Sequence, residues 1–108
     1  MDLICEAAHD RKAEAIVVME MNRRTSLCDY FVVMSAPSSV RVKAIADHIE
    51  DLLGQNGHHV LHKEGYKDGL WALMDFGGII AHIFHHDARK YYDLEHLWGD
   101  VPRRRYFH

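Results

Sequence analysis

Two apolar segments separated by a pair of glycines limit the fold of this chain more than any other feature. Residues 70–76 and 79–84 flank Gly77-Gly78, and two glycines between strand-like segments are typical of a two-residue hairpin turn. Such a turn decides which side chains lie opposite one another. One face of the predicted hairpin is wholly apolar, and its pairs are Phe76 with Ile79, Met74 with Ala81, and Ala72 with Ile83. We expect this face to pack on helices.

The opposite face of the hairpin combines large rings with ionisable groups. Its pairs are Trp71 with Phe84, Leu73 with His82, and Asp75 with Ile80. A core would have to provide partners for the carboxylate and the imidazole, whereas rings among a few polar groups are typical of a protein-binding patch. We therefore predict a partner-binding set on this face: Trp71, Leu73, Asp75, His82 and Phe84. The pattern leaves one alternative open, in which C-terminal rings cover the face: Tyr91, Tyr92 or Trp98.

The remaining periodic segments predict further strands and helices. Apolar runs without alternation suit strands that are covered on both faces. The additional predicted strands lie at 16–19, 30–34 and, more weakly, 58–63. The predicted helices lie at 3–12, from Ser38 to about Gly54, and after two capping residues, Asp87 and Asp93. This order predicts an α/β fold, in which a mixed sheet of about five strands carries helices on at least one face.

Length and charge indicate one domain with a distinct C-terminal tail. The 108 residues are too few for two cores, and the formal net charge of −3 argues against broad nonspecific binding of nucleic acid. We place the domain at residues 1–100 and a short basic-aromatic tail at 101–108. The tail contains Arg103, Arg104, Arg105, Tyr106 and Phe107. Such a tail either contacts RNA phosphates and bases or frays in solvent.

The sequence does not show the features expected of exported or membrane proteins. No apolar run approaches the roughly 18 residues of a membrane span, and the first ten residues lack the basic start and apolar centre of a secretory signal. The two cysteines, Cys5 and Cys28, form no CxxC pair or disulfide framework. A reducing compartment, the cytoplasm, is therefore the expected location.

The chain contains residue types that are found in metal and catalytic sites, but their spacing does not match a known metal-binding or catalytic motif. The ten histidines, including the cluster His82, His85 and His86, do not follow a zinc-ligand pattern, so we predict no metal and no cofactor. Asp29 precedes three serines near a helix start: Ser35, Ser38 and Ser39. Two-metal nucleotidyl transfer needs several carboxylates on adjacent strands, and the predicted strands offer only Asp29 and Asp75. We predict that the protein is not an enzyme.

A series of short segments along the chain is specific as an ordered set. The segments are Lys12–Val18, Ser26–Val33, Ser38-Ser39, Val42–Asp47, Glu64-Gly65-Tyr66, Trp71, Asp75-Phe76-Gly77, His82-Ile83-Phe84, Tyr92–Glu95 and Leu97-Trp98. Together they resemble the ribosomal silencing factor family, also called RsfS or Iojap, from about residue 3 to residue 100.

The resemblance implies both a fold and a function. The implied fold is related to the nucleotidyltransferases but lacks their catalytic residues. The implied function is binding to ribosomal protein L-fourteen of the large subunit, which sterically blocks the small subunit and lowers translation when nutrients are short. Trp71 matches a tryptophan of the family's partner surface, whereas Asp75, His82 and Phe84 rest also on the face assignment. We further expect rRNA contact by the tail arginines, Arg103, Arg104 and Arg105, and a homodimer of the free protein.

Two alternatives and one departure accompany the resemblance. The alternatives are a nucleotidyltransferase-like enzyme that uses Asp29 and Asp75, and an organellar relative that acts in ribosome assembly. The departure lies before the long helix, where the family usually reads Ser-Gly-x-Ser-Ser-Arg. This chain reads Ser35-Ala36-Pro37-Ser38-Ser39-Val40, with Arg41 one position late. We expect a changed loop at this point and an unchanged helix.

Overall fold

The elements form one mixed sheet with helices on it. A computed structural model describes residues 2–106, apart from the side chain of Arg23, so that Phe107 and His108 of the predicted tail lie outside the described residues. The strands are β1 (Glu14–Glu20), β2 (Tyr30–Ala36), β3 (His62–Glu64), β4 (Trp71–Asp75), β5 (Ile79–His85) and β6 (Arg103–Arg105). The helices are α1 (Asp2–Asp10), α2 (Ser39–Gln55), α3 (His86–Tyr91) and α4 (Leu94–Leu97). The predicted α/β class is confirmed, with six strands in the described chain and not about five.

The strand order across the sheet is β3-β4-β5-β2-β1-β6. Strands β2 and β5 run parallel, and the other neighbouring strands run antiparallel. A parallel pair cannot be joined by a tight turn. The chain instead leaves β2 through the long helix α2 and returns through β3 and β4 before it forms β5.

The hairpin has the register that its glycine pair predicts. Phe76 donates its backbone N–H to the carbonyl of Ile79 at 2.9 Å, and Gly77 takes a φ of +99° that favours glycine. The paired residues of β4 and β5 are Trp71 with Phe84, Ala72 with Ile83, Leu73 with His82, Met74 with Ala81, and Asp75 with Ile80. Every predicted strand pair of the two faces is therefore confirmed.

The apolar face of the hairpin packs on α1 and α2, as predicted. Its most deeply buried residues share a core with the inner stripe of α2, and they are Ala72, Met74, Ala81 and Ile83. The predicted stripe of α2 is also confirmed, with Val42, Ile45, Ala46, Ile49 and Leu53 buried. Ser38 caps this helix by accepting a hydrogen bond from the N–H of Arg41 at 3.1 Å, so the altered loop leaves the helix intact.

The opposite face of the sheet is a second core, not an open surface. Phe84 is 0% exposed and His82 is 4% exposed, so the expectation that both side chains lie on an accessible face is wrong. Residues of the C-terminal segment pack against this face, among them Ala88, Leu94 and Trp98. The alternative in which C-terminal residues cover the face is the one that the structure shows, because α3 and α4 fold back over β5 and β1.

Of three further local expectations, two differ from the structure and one is confirmed. Strand β3 lies at His62–Glu64 and begins later than the predicted segment 58–63. Helix α3 is capped by the His85 ring, which accepts from the N–H of Asp87 at 3.2 Å, so Asp87 is not the cap. The predicted cap of α4 is confirmed, since Asp93 accepts from the N–H of His96.

The arginine tail is an edge strand over part of its length. Residues Arg103–Arg105 pair with Val17–Met19 of β1 in antiparallel register, so the expectation of a frayed terminus is wrong for these residues. Arg103 also donates to the carbonyl of Glu95 at 2.7 Å and to that of Trp98 at 3.2 Å. Both acceptors are carbonyl groups at the end of α4, so Arg103 joins this helix end to the edge strand.

Candidate partner-binding surface

Trp71 stands at the start of β4, where the sheet meets the C-terminal helices. Its half-buried ring stacks on Phe84 with 4.9 Å between centroids, and Tyr92 contacts it at 4.8 Å. The backbone at this point is held closely by the preceding loop. A Cβ on Gly65, which has a φ of +73°, would lie 1.9 Å from the Trp71 carbonyl oxygen. Ring and backbone of Trp71 are therefore both tightly positioned.

The indole of Trp71 is bonded to the buried imidazole of His82. The indole Nε1 donates to Nδ1 of His82 at 3.0 Å. Since an indole N–H can only donate, Nδ1 carries no proton and the neutral ring is protonated at Nε2. That Nε2 atom is buried without a hydrogen-bond partner in the described chain. Burial lowers the pKa of His82 to about 4, so the ring is neutral at physiological pH.

An open groove begins at Trp71 and runs between the C-terminal helices. Its volume is about 560 Å³, and its walls are Trp71 with Tyr91, Tyr92, Asp93, Leu94, His96 and Leu97. We call it the aromatic groove. Tyr91 is 81% exposed and Leu97 is 71% exposed. Exposed apolar side chains grouped beside a fixed tryptophan are typical of protein-binding surfaces.

Arg89 fixes the helical wall of the aromatic groove to the sheet. Its side chain, 14% exposed, donates to Glu95 Oε1 from Nη2 at 2.8 Å and to the carbonyl of Ala15 from Nη1 at 2.6 Å. Ala15 has a φ of +50°, and the register of β1 shifts between Glu14 and Val17. This β-bulge leaves the carbonyl of Ala15 without a partner in the strand pairing, and Arg89 donates a hydrogen bond to it. Sequence reasoning missed Arg89, whose only signal was an opposite charge six residues away.

Leu73 and Asp75 continue the predicted face along β4, and both are half-buried. Leu73 lies opposite His82 on one side and opposite Glu64 on the other. Asp75 Oδ1 accepts from the N–H of Gly77 at 2.8 Å, so this carboxylate stabilises the hairpin turn. The structure therefore separates the predicted set into an outer part, Trp71, Leu73 and Asp75, and a buried part, His82 and Phe84.

Groups that could support metal or acid–base chemistry are dispersed. Between residues 2 and 106, no three His, Cys, Asp or Glu side chains are grouped to hold a metal ion. In the predicted histidine cluster, His85 caps α3 and His86 pairs with Glu14 at 3.3 Å. Burial raises the pKa of the Cys28 thiol, and the carboxylates of Asp29 and Asp75 raise it further. Both carboxylates thus lie near Cys28, but the carboxylate of Asp75 already accepts a hydrogen bond within the hairpin turn.

The chain is similar to known proteins over nearly its whole described length. A family model described as "Ribosomal silencing factor during starvation" matches residues 1–106. The chain belongs to the ribosomal silencing factor family. It is 38% identical over 102 residues to ribosomal silencing factor RsfS of Bacillus subtilis, covering 94% of this chain and 86% of that protein. RsfS of Halalkalibacterium halodurans is 36% identical over 102 residues, covering 94% and 87%.

A solved structure extends the likeness from sequence to fold. A crystal structure of a Chromobacterium violaceum protein superposes with a TM-score of 0.88 at 34% identity, covering 91% of this chain and 82% of that chain. The family-model match over residues 1–106 spans Trp71, the aromatic groove and β6. No helix in the described part of this family member is both long and apolar enough to cross a membrane.

Proposed function

We propose that this protein binds the large ribosomal subunit through ribosomal protein L-fourteen and sterically prevents the small subunit from joining. It thereby represses translation when nutrients are limiting, and it acts in the cytoplasm without catalysis. Family membership supports the silencing role. The nucleotidyltransferase-like fold, in this proposal, is kept as a scaffold without a working set of catalytic carboxylates.

The observation that carries the proposal is the accessible rim of Trp71 beside the aromatic groove. Trp71 is held on one side by Phe84 and His82, while Tyr91 and Leu97 present apolar surface to solvent. A rigid aromatic side chain loses little freedom when a partner binds it, so more of the contact energy appears as affinity. We propose that Trp71, Leu73 and Asp75 contact the partner, and that His82 and Phe84 support them from beneath.

Charge near the groove favours a basic partner. Residues 86–100 contain four acidic and two basic side chains. Glu95 is paired with Arg89 and Asp100 with Arg24, which leaves two acidic side chains, Asp87 and Asp93, and one basic side chain, Lys90. A surface with an excess of carboxylates attracts Lys- and Arg-rich surfaces and repels acidic ones. Strand β6 lies at the far edge of the sheet from β4, where the tail arginines would contact rRNA phosphates. In the free protein, the apolar groove would be available to a second copy, giving a homodimer.

A subunit-joining assay tests the proposal directly. Purified large subunits are mixed with the protein at saturating concentration, small subunits are added, and joined particles are measured on sucrose gradients. We expect joined particles to decrease, and we expect Trp71→Ala to restore them. Leu27→Ala is the matched control, because Leu27 is 86% exposed and lies at the opposite end of the sheet from Trp71. Unchanged joining in the presence of wild-type protein would reject the function.

A further inference from the structure

His82 is an unusual residue in the core that it occupies. Among the described residues, the buried polar side chains are Ser35 and His82. Ser35 receives a hydrogen bond from Arg89 at 3.3 Å, but the Nε2–H of His82 has no partner among residues 2–106. A buried donor without a partner loses its hydration and gains nothing in return. An apolar side chain at this position would pack against the same rings without that cost.

The contacts of His82 indicate why a histidine occupies this buried position in spite of the desolvation cost. Its ring lies 4.5 Å from Phe31 and is nearly parallel to Phe84, at 6.2 Å between centroids. Within the described part of the chain, the ring makes one hydrogen bond, in which Nδ1 accepts from the indole N–H of Trp71. Ring stacking on Phe84 and Tyr92 confines the Trp71 ring but is weakly directional, whereas a hydrogen bond at Nε1 selects one orientation of the indole.

We propose that His82 is a positioning residue for Trp71, and that its Nδ1 acceptor holds the indole in the orientation in which the partner binds it. This inference rests on the proposed function, since it assigns a role at the same surface. His82 does not touch the partner. It acts before binding, by removing alternative orientations of Trp71 that the partner would otherwise have to select against.

Two substitutions separate the acceptor from the bulk of the ring. His82→Leu keeps an apolar volume and removes the acceptor. His82→Asn places a side-chain oxygen near the position of Nδ1 and removes much of the ring. If space filling were the role, His82→Leu would resemble the wild type and His82→Asn would not. If positioning is the role, the order is reversed.

The first readout is the Trp71 indole N–H in the free protein. Nitrogen–proton correlation spectra resolve the two indole groups, and Trp71→Phe identifies the peak of Trp71, with Trp98 as an internal reference. We expect hydrogen exchange at Trp71 to be about tenfold faster in His82→Leu, because its hydrogen bond is lost. In His82→Asn we expect exchange close to that of the wild type, and the Trp98 signal should change in neither variant.

The second readout is affinity for large ribosomal subunits, measured by co-sedimentation, with denaturant melts run in parallel. His82→Leu should be as stable as the wild type or more stable and should bind about three- to tenfold more weakly, the penalty expected for ordering one large side chain. His82→Asn should bind like the wild type even with lower stability, which keeps the test decisive if His82→Leu does not fold. Faster exchange with unchanged binding in His82→Leu would overturn the inference and leave the proposed function standing. Absence of binding by the wild type would reject the proposed function and the inference with it.

Discussion

The rings of Trp71 and Tyr92 lie 4.8 Å apart between centroids, although one belongs to an edge-proximal strand and the other follows α3. This contact joins the sheet to the C-terminal segment at the mouth of the aromatic groove. Because Arg89 and Phe84 hold the two sides independently, the surface is formed before a partner arrives. Residues that build this surface should therefore affect stability when substituted, whereas residues exposed on it should affect binding alone.

Trp71→Ala should affect both stability and binding. The ring packs on Phe84 and bonds to His82, so we expect a stability loss of about 2–3 kcal/mol, below the roughly 3–5 kcal/mol of a fully buried tryptophan. Partner affinity should fall by at least about 2 kcal/mol, or roughly thirtyfold. Melts and co-sedimentation with large subunits measure the two effects.

Met74→Ala is the control for that change. Met74 is 1% exposed on the face covered by α2, so its truncation should cost about 2–5 kcal/mol of stability. While folded, this variant should bind nearly normally. If Met74→Ala bound as weakly as Trp71→Ala at equal folded fraction, the weak binding would reflect loss of structure, and Trp71 would not be a contact.

Leu97→Ala should reduce binding without reducing stability. Leu97 is 71% exposed at the end of α4, so we expect a stability change within about 0.5 kcal/mol. If the partner occupies the aromatic groove, affinity should fall by about 1 kcal/mol, or roughly fivefold. Leu27→Ala, which truncates a similarly exposed leucine outside the lining of the groove, should leave affinity unchanged. Equal affinities of the two variants would place the partner outside the groove.

Arg89→Met should loosen the C-terminal helices. It leaves the carboxylate of Glu95 and the carbonyl of Ala15 without the guanidinium that joins them, and we expect a loss of about 2–4 kcal/mol. Amide hydrogen exchange should increase most in residues 92–101. Adding Glu95→Gln should recover part of the loss, because no unpaired charge then remains. Lys90→Met, which changes the adjacent exposed side chain, should do neither.

Acidification should destabilise the fold through His82. Burial lowers the pKa of this group from 6.5 to about 4, so between these values the unfolded chain binds a proton that the folded chain does not. The free energy of unfolding therefore increases with pH across this window and is fully recovered above about pH 6.5. At about 1.4 kcal/mol per unit, the loss on acidification approaches roughly 3 kcal/mol. Melts from pH 4 to pH 7.5 should show this slope in the wild type, and its persistence in His82→Leu would assign it to other groups.

Local sequence determined the register of the hairpin, the long helix and the family of this protein. The glycine pair set the register of β4 and β5 because a two-residue turn leaves no freedom in pairing, and the spacing of apolar residues set α2 because periodicity reports a buried helical face directly. The ordered segments around Trp71, Asp75 and Tyr92 indicated the family. The histidines do not have the spacing of a metal-ligand motif, so the sequence did not indicate a metal site.

Only the tertiary structure decided which parts of the candidate surface are accessible. Alternation along β5 places His82 and Phe84 on a face but does not say what covers it, because the covering residues lie in α3 and α4 and are brought there by long-range packing. Strand β6 was equally invisible, since three consecutive arginines have no strand signature and are ordered by pairing with β1. The anchor between Arg89 and Ala15 depends on a bulge that only the paired sheet creates. Burial of a polar group such as His82 follows from the complete set of its neighbours, which no local pattern contains.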